Sequence, residues 1–84
     1  MSDTASRIRT FIISNFLFGK DSGLSDDASF LENGIVDSTG VMELVAFLEK
    51  EFGIKIDDHE LVPDNLDSIQ STTAFVARKS GKAN

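Results

Sequence analysis

From Val41 to Phe52 the apolar residues Val41, Leu44, Val45, Leu48 and Phe52 recur at the spacing of one helical face. Glu43, Glu49, Lys50 and Glu51 take the opposite side, so this segment must bury one flank against something else. Asp37-Ser38-Thr39, just before it, supplies side-chain oxygens of the kind that cap helix N-termini, which predicts a helix over 38–52. Phe52-Gly53 closes it. The hydroxyl of Ser38 therefore stands at the positive end of an amphipathic helix. Two readings are open there: a plain N-cap, or a serine carrying a phosphodiester held by free N–H groups and the helix dipole.

The remaining chain offers partners for the greasy face. Residues 4–18 predict a first helix, with Ile8, Phe11, Ile12 and Phe16 on the helical period, Asn15 the one polar intruder, and Ile13, Leu17 and Phe18 widening the surface. Gly19 stops it. The connection from Gly19 to Val36 is long for a structureless loop, yet Leu24, Phe30, Leu31, Ile35 and Val36 are too apolar for a solvated linker. They are expected to tuck under the bundle, with Asn33-Gly34 turning the chain just before Asp37. Ile54-Lys55-Ile56 predicts an extended link. Asp57-x-x-Glu60 resembles a capping box for a short helix over about 57–61 that stops before Pro63. Asp67-x-x-Gln70 opens a last helix over about 68–79, with Ile69, Thr72, Thr73 and Val76 on one face and Phe75 beside them. Arg78 and Lys79 suit its C-terminal dipole, and residues 80–84 should fray. With no alternating strand, the expectation is all-α: a small four-helix bundle of three main helices, one short one and a long first loop. One domain spans 1–84, with its ordered core at about 4–79.

Composition excludes several functions. There is no cysteine, so there is no disulfide framework or thiolate metal site. No apolar run reaches the length of a membrane span, and the N-terminus lacks a signal-peptide core, which points to a cytoplasmic protein. The net charge of −6 is unevenly spread: residues 1–20 carry +2, residues 21–67 carry −11 and residues 68–84 carry +3. Such a field repels nucleic acid and anionic membranes and draws basic partners toward the middle. His59 stands alone among acids, as a solvated surface residue, and gives neither a triad nor a metal shell. Asp21 to Glu32 has acids at the first and twelfth places of a calcium loop. However, Gly23 falls where a ligand is needed and Asp26 where the turn wants glycine.

The segment GIVDSTGVMELVAFLEKEFGIKIDD resembles the modification segment of acyl carrier proteins and peptidyl carrier domains. The likeness runs from Phe30-Leu31 to Asp67-Ser68-Ile69 and beyond, so it covers most of the chain. A bare D-S is worthless as a signal, but in this frame it is strong. The resemblance implies that Ser38, in the Asp37-Ser38 motif, bears a 4'-phosphopantetheine arm derived from coenzyme A. The chain would be no enzyme but a monomeric carrier, modified by a phosphopantetheinyl transferase and loaded by an acyl or aminoacyl ligase. Its thioester cargo would then go to downstream acyl-transferring enzymes, which would meet the outer face of the central helix: Thr39, Met42, Glu43, Ala46 and Glu49. The other reading of the same fold is an unmodified helical adaptor. Thr39, Gly40, Ala46 and Lys50 depart from the usual fatty-acid carrier, Gly40 standing where an acid is common. This points to carriers outside primary fatty-acid synthesis, with aminoacyl cargo preferred. Gly40 should also weaken its helical turn by roughly 1 kcal/mol relative to alanine.

Overall fold

A computed structural model describes residues 3–17, 19 and 24–80. It is all-helical over these residues: α1 is Asp3–Phe16, α2 Ser38–Phe52, α3 Pro63–Leu66 and α4 Ile69–Ser80, with a 3₁₀ turn at Asp58–Glu60. The expected bundle is therefore present, with one element more than the sequence reading foresaw. Phe18 and the basic residues Lys20 and Lys82 lie outside the described residues, as do residues 81–84.

The apolar stripes meet as their periods require. Ile8 and Ile12 of α1, Leu44 and Leu48 of α2, and Ile69 of α4 have no exposed surface, and Phe75 and Val76 are buried beside them. Asn15 turns outward, and its amide donates to the Phe11 carbonyl at 2.9 Å, which resolves the polar intrusion in the first stripe. α1 ends at Phe16 rather than 18: Leu17 N–H bonds the Ile13 carbonyl, and Gly19, at φ 80°, bonds the same oxygen. Gly53 closes α2 in the left-handed conformation, its N–H returning to the Glu49 carbonyl at 3.0 Å.

A feature outside the predicted stripes joins α1 to α2. Phe47, half-buried, stacks on Phe11 with ring centroids 4.2 Å apart and planes 12° from parallel. Phe16 meets Phe11 edge-on at 5.8 Å, and Phe52 meets Phe47 in the same way at 6.1 Å. The four rings bridge the two helices, each favourable pair adding about 0.5–1.5 kcal/mol beyond its burial.

Pro63 does not end a helix; it begins one. Asp58–Glu60 closes as a single 3₁₀ turn, and Pro63 then occupies the first position of α3, where its fixed φ fits and its missing N–H costs nothing. The short element expected over 57–61 is thus the 3₁₀ turn, and α3 is an additional element beyond it. At Asp57-x-x-Glu60, the Asp57 N–H does donate to Glu60 Oε1 at 3.0 Å. Asp67-x-x-Gln70 works differently from a box. Ser68 caps α4 by accepting the Ser71 N–H at 3.0 Å, which releases Asp67 for another task.

That task is to hold the long first loop. Asp67 accepts the Phe30 N–H on its backbone oxygen at 2.7 Å, the Leu31 N–H on Oδ1 at 2.9 Å and the Ser29 hydroxyl on Oδ2. Phe30 and Val36 are buried as expected, while Leu31 is 48% exposed, contrary to the expectation that it tucks under. Its neighbour Phe30 fills the core, and Leu31 lies on the outer side of the Asp67 contact.

The 3₁₀ turn is tied to α4 by Lys79 Nζ, 2.8 Å from Glu60 Oε1. The Asp57 backbone N–H and the Lys79 ammonium both favour ionised Glu60 and hold its carboxyl below the ordinary value of 4.5. A depressed carboxyl contributes stability above its unfolded pKa and loses it as pH falls through the folded pKa. We therefore expect Glu60→Gln to narrow the gap between the melting temperature at neutral pH and that below pH 4.5, as read by circular dichroism.

Thr72 Oγ1 is buried with no hydrogen-bond partner. Thr72→Val keeps the shape and removes the desolvated hydroxyl. It should raise stability by about 1 kcal/mol in urea unfolding, whereas an ordinary satisfied hydroxyl would show a loss.

Candidate functional site

The start of α2 is fixed from both sides. On the loop side, Ile35 and Val36 N–H groups both return to the Phe30 carbonyl, and Gly34 sits at φ 65° in the turn after Asn33. On the helix side, Asp37 stands at the N-cap with extended backbone, φ −99° and ψ −174°, and its Oδ1 accepts the Gly40 N–H at 2.7 Å. The first intrahelical bond then runs from Val41 N–H to the Asp37 carbonyl. Asp37 is thus the cap, which leaves Ser38 as the first helical residue with its hydroxyl exposed. Its own N–H and that of Thr39 precede the helical hydrogen-bond ladder and lend this end partial positive charge.

Gly40 is buried, although it lies only two residues beyond the exposed serine. A Cβ placed there would come within 2.8 Å of Phe16 Cε1, 3.1 Å of Val36 Cγ1 and 3.3 Å of Asp37 Oδ1. The propensity argument that favours alanine is therefore overridden, because no methyl fits without moving the ring. An acid is excluded for the same reason, and the first turn of α2 carries none.

Of the residues predicted to form the outer face, Thr39, Met42, Glu43 and Ala46 are exposed, Met42 by 55%. Glu49 is half-buried, with Oε2 accepting the Ile56 N–H at 2.9 Å, so it also anchors the link that follows α2. Val62 is exposed too, a residue the sequence reading did not single out. A cavity of about 90 Å³ opens between α2 and α3, lined chiefly by Phe30, Val36, Val41, Leu61 and Leu66 with Asp67 at its edge.

No competing chemistry appears among the described residues. They contain no group of three His, Asp or Glu that could hold a metal. Asp21 to Gly23 lie outside them, while Asp26 of the same stretch pairs with Arg9 and lends its carbonyl to the Gln70 N–H. His59 is exposed on the 3₁₀ turn. The one carboxylate beside Ser38 is occupied as a cap. An exposed hydroxyl at a helix N-terminus, with no base poised to activate it, suits a residue modified by another enzyme.

The arrangement is that of a non-catalytic carrier, and the comparisons agree. Residues 17–76 match the family described as phosphopantetheine attachment site, and the chain belongs to that family. The chain is 36% identical over 73 residues to a probable acyl carrier protein, PigG, of Serratia sp. (strain ATCC 39006), covering 87% of this chain and 84% of that one. It is 30% identical to an acyl carrier protein of Zymomonas mobilis over 90% of this chain and 94% of the relative. An acyl carrier protein of Buchnera aphidicola is 32% identical, with 98% and 99% covered. Among solved structures, a chain in the crystal structure of an FAD-dependent dehydrogenase superposes with a TM-score of 0.73 at 29% identity. That match spans 81% of this chain and 96% of the other. The protein is a carrier whose cofactor is covalently attached 4'-phosphopantetheine, working with enzymes that modify it and transfer its acyl groups.

The cap is open to a direct test. Asp37→Ala should cost about 1 kcal/mol of stability in denaturant unfolding, and Asp37→Asn much less, because either oxygen-bearing side chain can accept the Gly40 N–H.

Proposed function

We propose that Ser38 carries the arm and that the cargo is an aminoacyl or other small acyl group, delivered outside primary fatty-acid synthesis. The observation that carries the first part is the exposed Ser38 hydroxyl at the opening of α2, with Asp37 taking the capping role. A phosphodiester on that oxygen would lie at the positive end of a 15-residue helix, next to N–H groups outside the ladder. A phosphopantetheinyl transferase using coenzyme A would attach it, and a ligase would load the thiol.

Three observations support the choice of cargo and partners. The cavity between Phe30, Val36, Val41 and Leu66 holds about 90 Å³, well below the roughly 300 Å³ at which small-molecule pockets begin. The larger hollows along α1 and α2 and against α4 are wide surface grooves, so a long chain entering beside the start of α2 would need Phe30 and Val36 to repack. The buried, side-chain-free position 40 removes the acid common in fatty-acid carriers. The chain matched in the dehydrogenase structure is shorter than this one, too small to hold a flavin domain, so it supports a flavin enzyme as one class of downstream partner. Thr39, Met42, Glu43 and Ala46, with Glu49 beside them, would form the contact face. Single exposed charges contribute little, so such contacts are transient and salt-sensitive. The chain acts in this reading as one monomeric domain.

Incubation with coenzyme A and a broad-specificity transferase should add the mass of one phosphopantetheine, and Ser38→Ala should add none. No gain in the wild type, or a gain that persists in the variant, removes Ser38 from the role. Loading then separates cargoes: small aminoacyl groups should be accepted by a cognate ligase, and a preference for long acyl chains would overturn that part.

A further inference from the structure

The space a side chain at position 40 would fill is claimed by three neighbours. They are the ring of Phe16 at the end of α1, the Val36 methyl at the end of the loop, and the Asp37 carboxylate that caps α2. Phe16 Cε1 approaches to 2.8 Å and Val36 Cγ1 to 3.1 Å. The third, Asp37 Oδ1 at 3.3 Å, is the atom that accepts the Gly40 N–H. One oxygen thus shares its surroundings with the ring and sets the first turn of the helix. Phe16 is itself held: its ring meets Phe11 at 5.8 Å, and Phe11 stacks on Phe47 in the middle of α2. The aromatic bridge between the helices therefore ends on the bare Cα two residues from Ser38.

We infer that Phe16 and Gly40 are positioning residues for arm attachment, fixing the first turn of α2 and with it the direction in which Ser38 presents its hydroxyl to the transferase. The inference rests on Ser38 being the attachment residue. Neither Phe16 nor Gly40 touches the reacting atoms. They act through the Asp37 cap, which a methyl at position 40 would press against from one side while the ring resists from the other. Transfer to a hydroxyl depends steeply on placement, since an error of about 1 Å can cost on the order of a hundredfold in rate. Phe16 and Gly40 should therefore affect turnover more than affinity, because the exposed face that a transferase would bind is left unchanged.

The test is steady-state arm transfer from coenzyme A by a broad-specificity transferase. It compares wild type, Gly40→Ala, Phe16→Leu and the double variant, each at a temperature where circular dichroism shows it folded. Gly40→Ala should lower kcat at least tenfold with KM within about threefold. Leucine has no ring edge, so Phe16→Leu alone should lower kcat several-fold by loosening the turn. In the double variant the leucine makes room for the methyl, and kcat should return to within about threefold of wild type, the non-additivity expected of residues in contact. A purely structural pair would lower melting temperatures and leave kcat alone. Wild-type transfer with unchanged kcat in Gly40→Ala, or a double variant no faster than Gly40→Ala, overturns the inference. If Gly40→Ala does not fold, an unchanged kcat in Phe16→Leu does the same. Absence of transfer to the wild type would instead remove the attachment reading, and this inference with it.

Discussion

Asp67 is the contact on which the site depends most. The loop before α2 is long, and ordering each of its residues costs on the order of 1 kcal/mol or more of backbone entropy. Burial of Phe30 and Val36 offsets part of this, but apolar burial alone does not fix register. Asp67 does, because its carboxylate and its carbonyl together hold three consecutive residues, Ser29, Phe30 and Leu31. Ser29 relays the hold to Glu32 and Asn33, and the chain from there to Asp37 has little freedom left. The serine is thus placed by a residue distant in the sequence but adjacent in the fold. A residue at the start of α4 sets the loop, the loop sets the cap, and the cap sets the helix.

At the point so placed, two environments meet. The outer side is an exposed hydroxyl at the positive end of a helix, with Thr39 and Met42 open to solvent. The inner side, half a turn away, is a glycine pressed by an aromatic ring and an aliphatic methyl. With the arm on Ser38, as proposed, this division serves a carrier. Its modified residue must be reachable by several enzymes, yet the turn bearing that residue must not drift as they come and go. Dense packing under the first turn provides the stiffness, and the lack of side-chain partners on Ser38 provides the access.

How much of this was legible in the sequence follows from which forces leave a periodic trace. The three main helices did, because burial of Ile8, Ile12, Leu44, Leu48 and Ile69 repeats at the helical spacing. Ser38 stood out through its place at a helix start and the frame around it. Phe47 did not, because it lies off the main stripe and is half-covered by a ring on another helix. The 3₁₀ turn ends before Pro63 as expected, but α3 leaves no trace in the sequence, since the same fixed φ that breaks a helix interior also favours a helix start. Asp67 was read as a cap because sequence shows that a side chain can accept an N–H, not which N–H reaches it. The clue to the Phe16 contact was present but was priced as a loss. An interior glycine in the first turn of a helix signals close approach as readily as weak helix propensity.

The charge pattern shows the same limit and leads further. Along the sequence the ends are basic and the middle strongly acidic, which taken alone suggests a large field waiting for a partner. In three dimensions the ends fold back onto the middle: Arg7 pairs with Glu51, Arg9 with Asp26 and Lys79 with Glu60. Other acids serve backbone groups, Asp37 as a cap, Glu49 on Ile56 and Asp67 on the loop. Each exposed pair adds at most about 1 kcal/mol, so the segregation does little for stability, but it spends charge that a partner would otherwise meet. Among the described residues, Glu43 is an acid of α2 with no such engagement, and it lies beside the exposed Met42. On α2 itself a partner that approaches Ser38 therefore meets the Glu43 carboxylate next to one flexible apolar side chain, with the exposed Asp37 carboxylate held as the cap. On the proposed reading, recognition rests on the shape of the first turn as much as on attraction, and a glycine against a half-buried ring sets that shape.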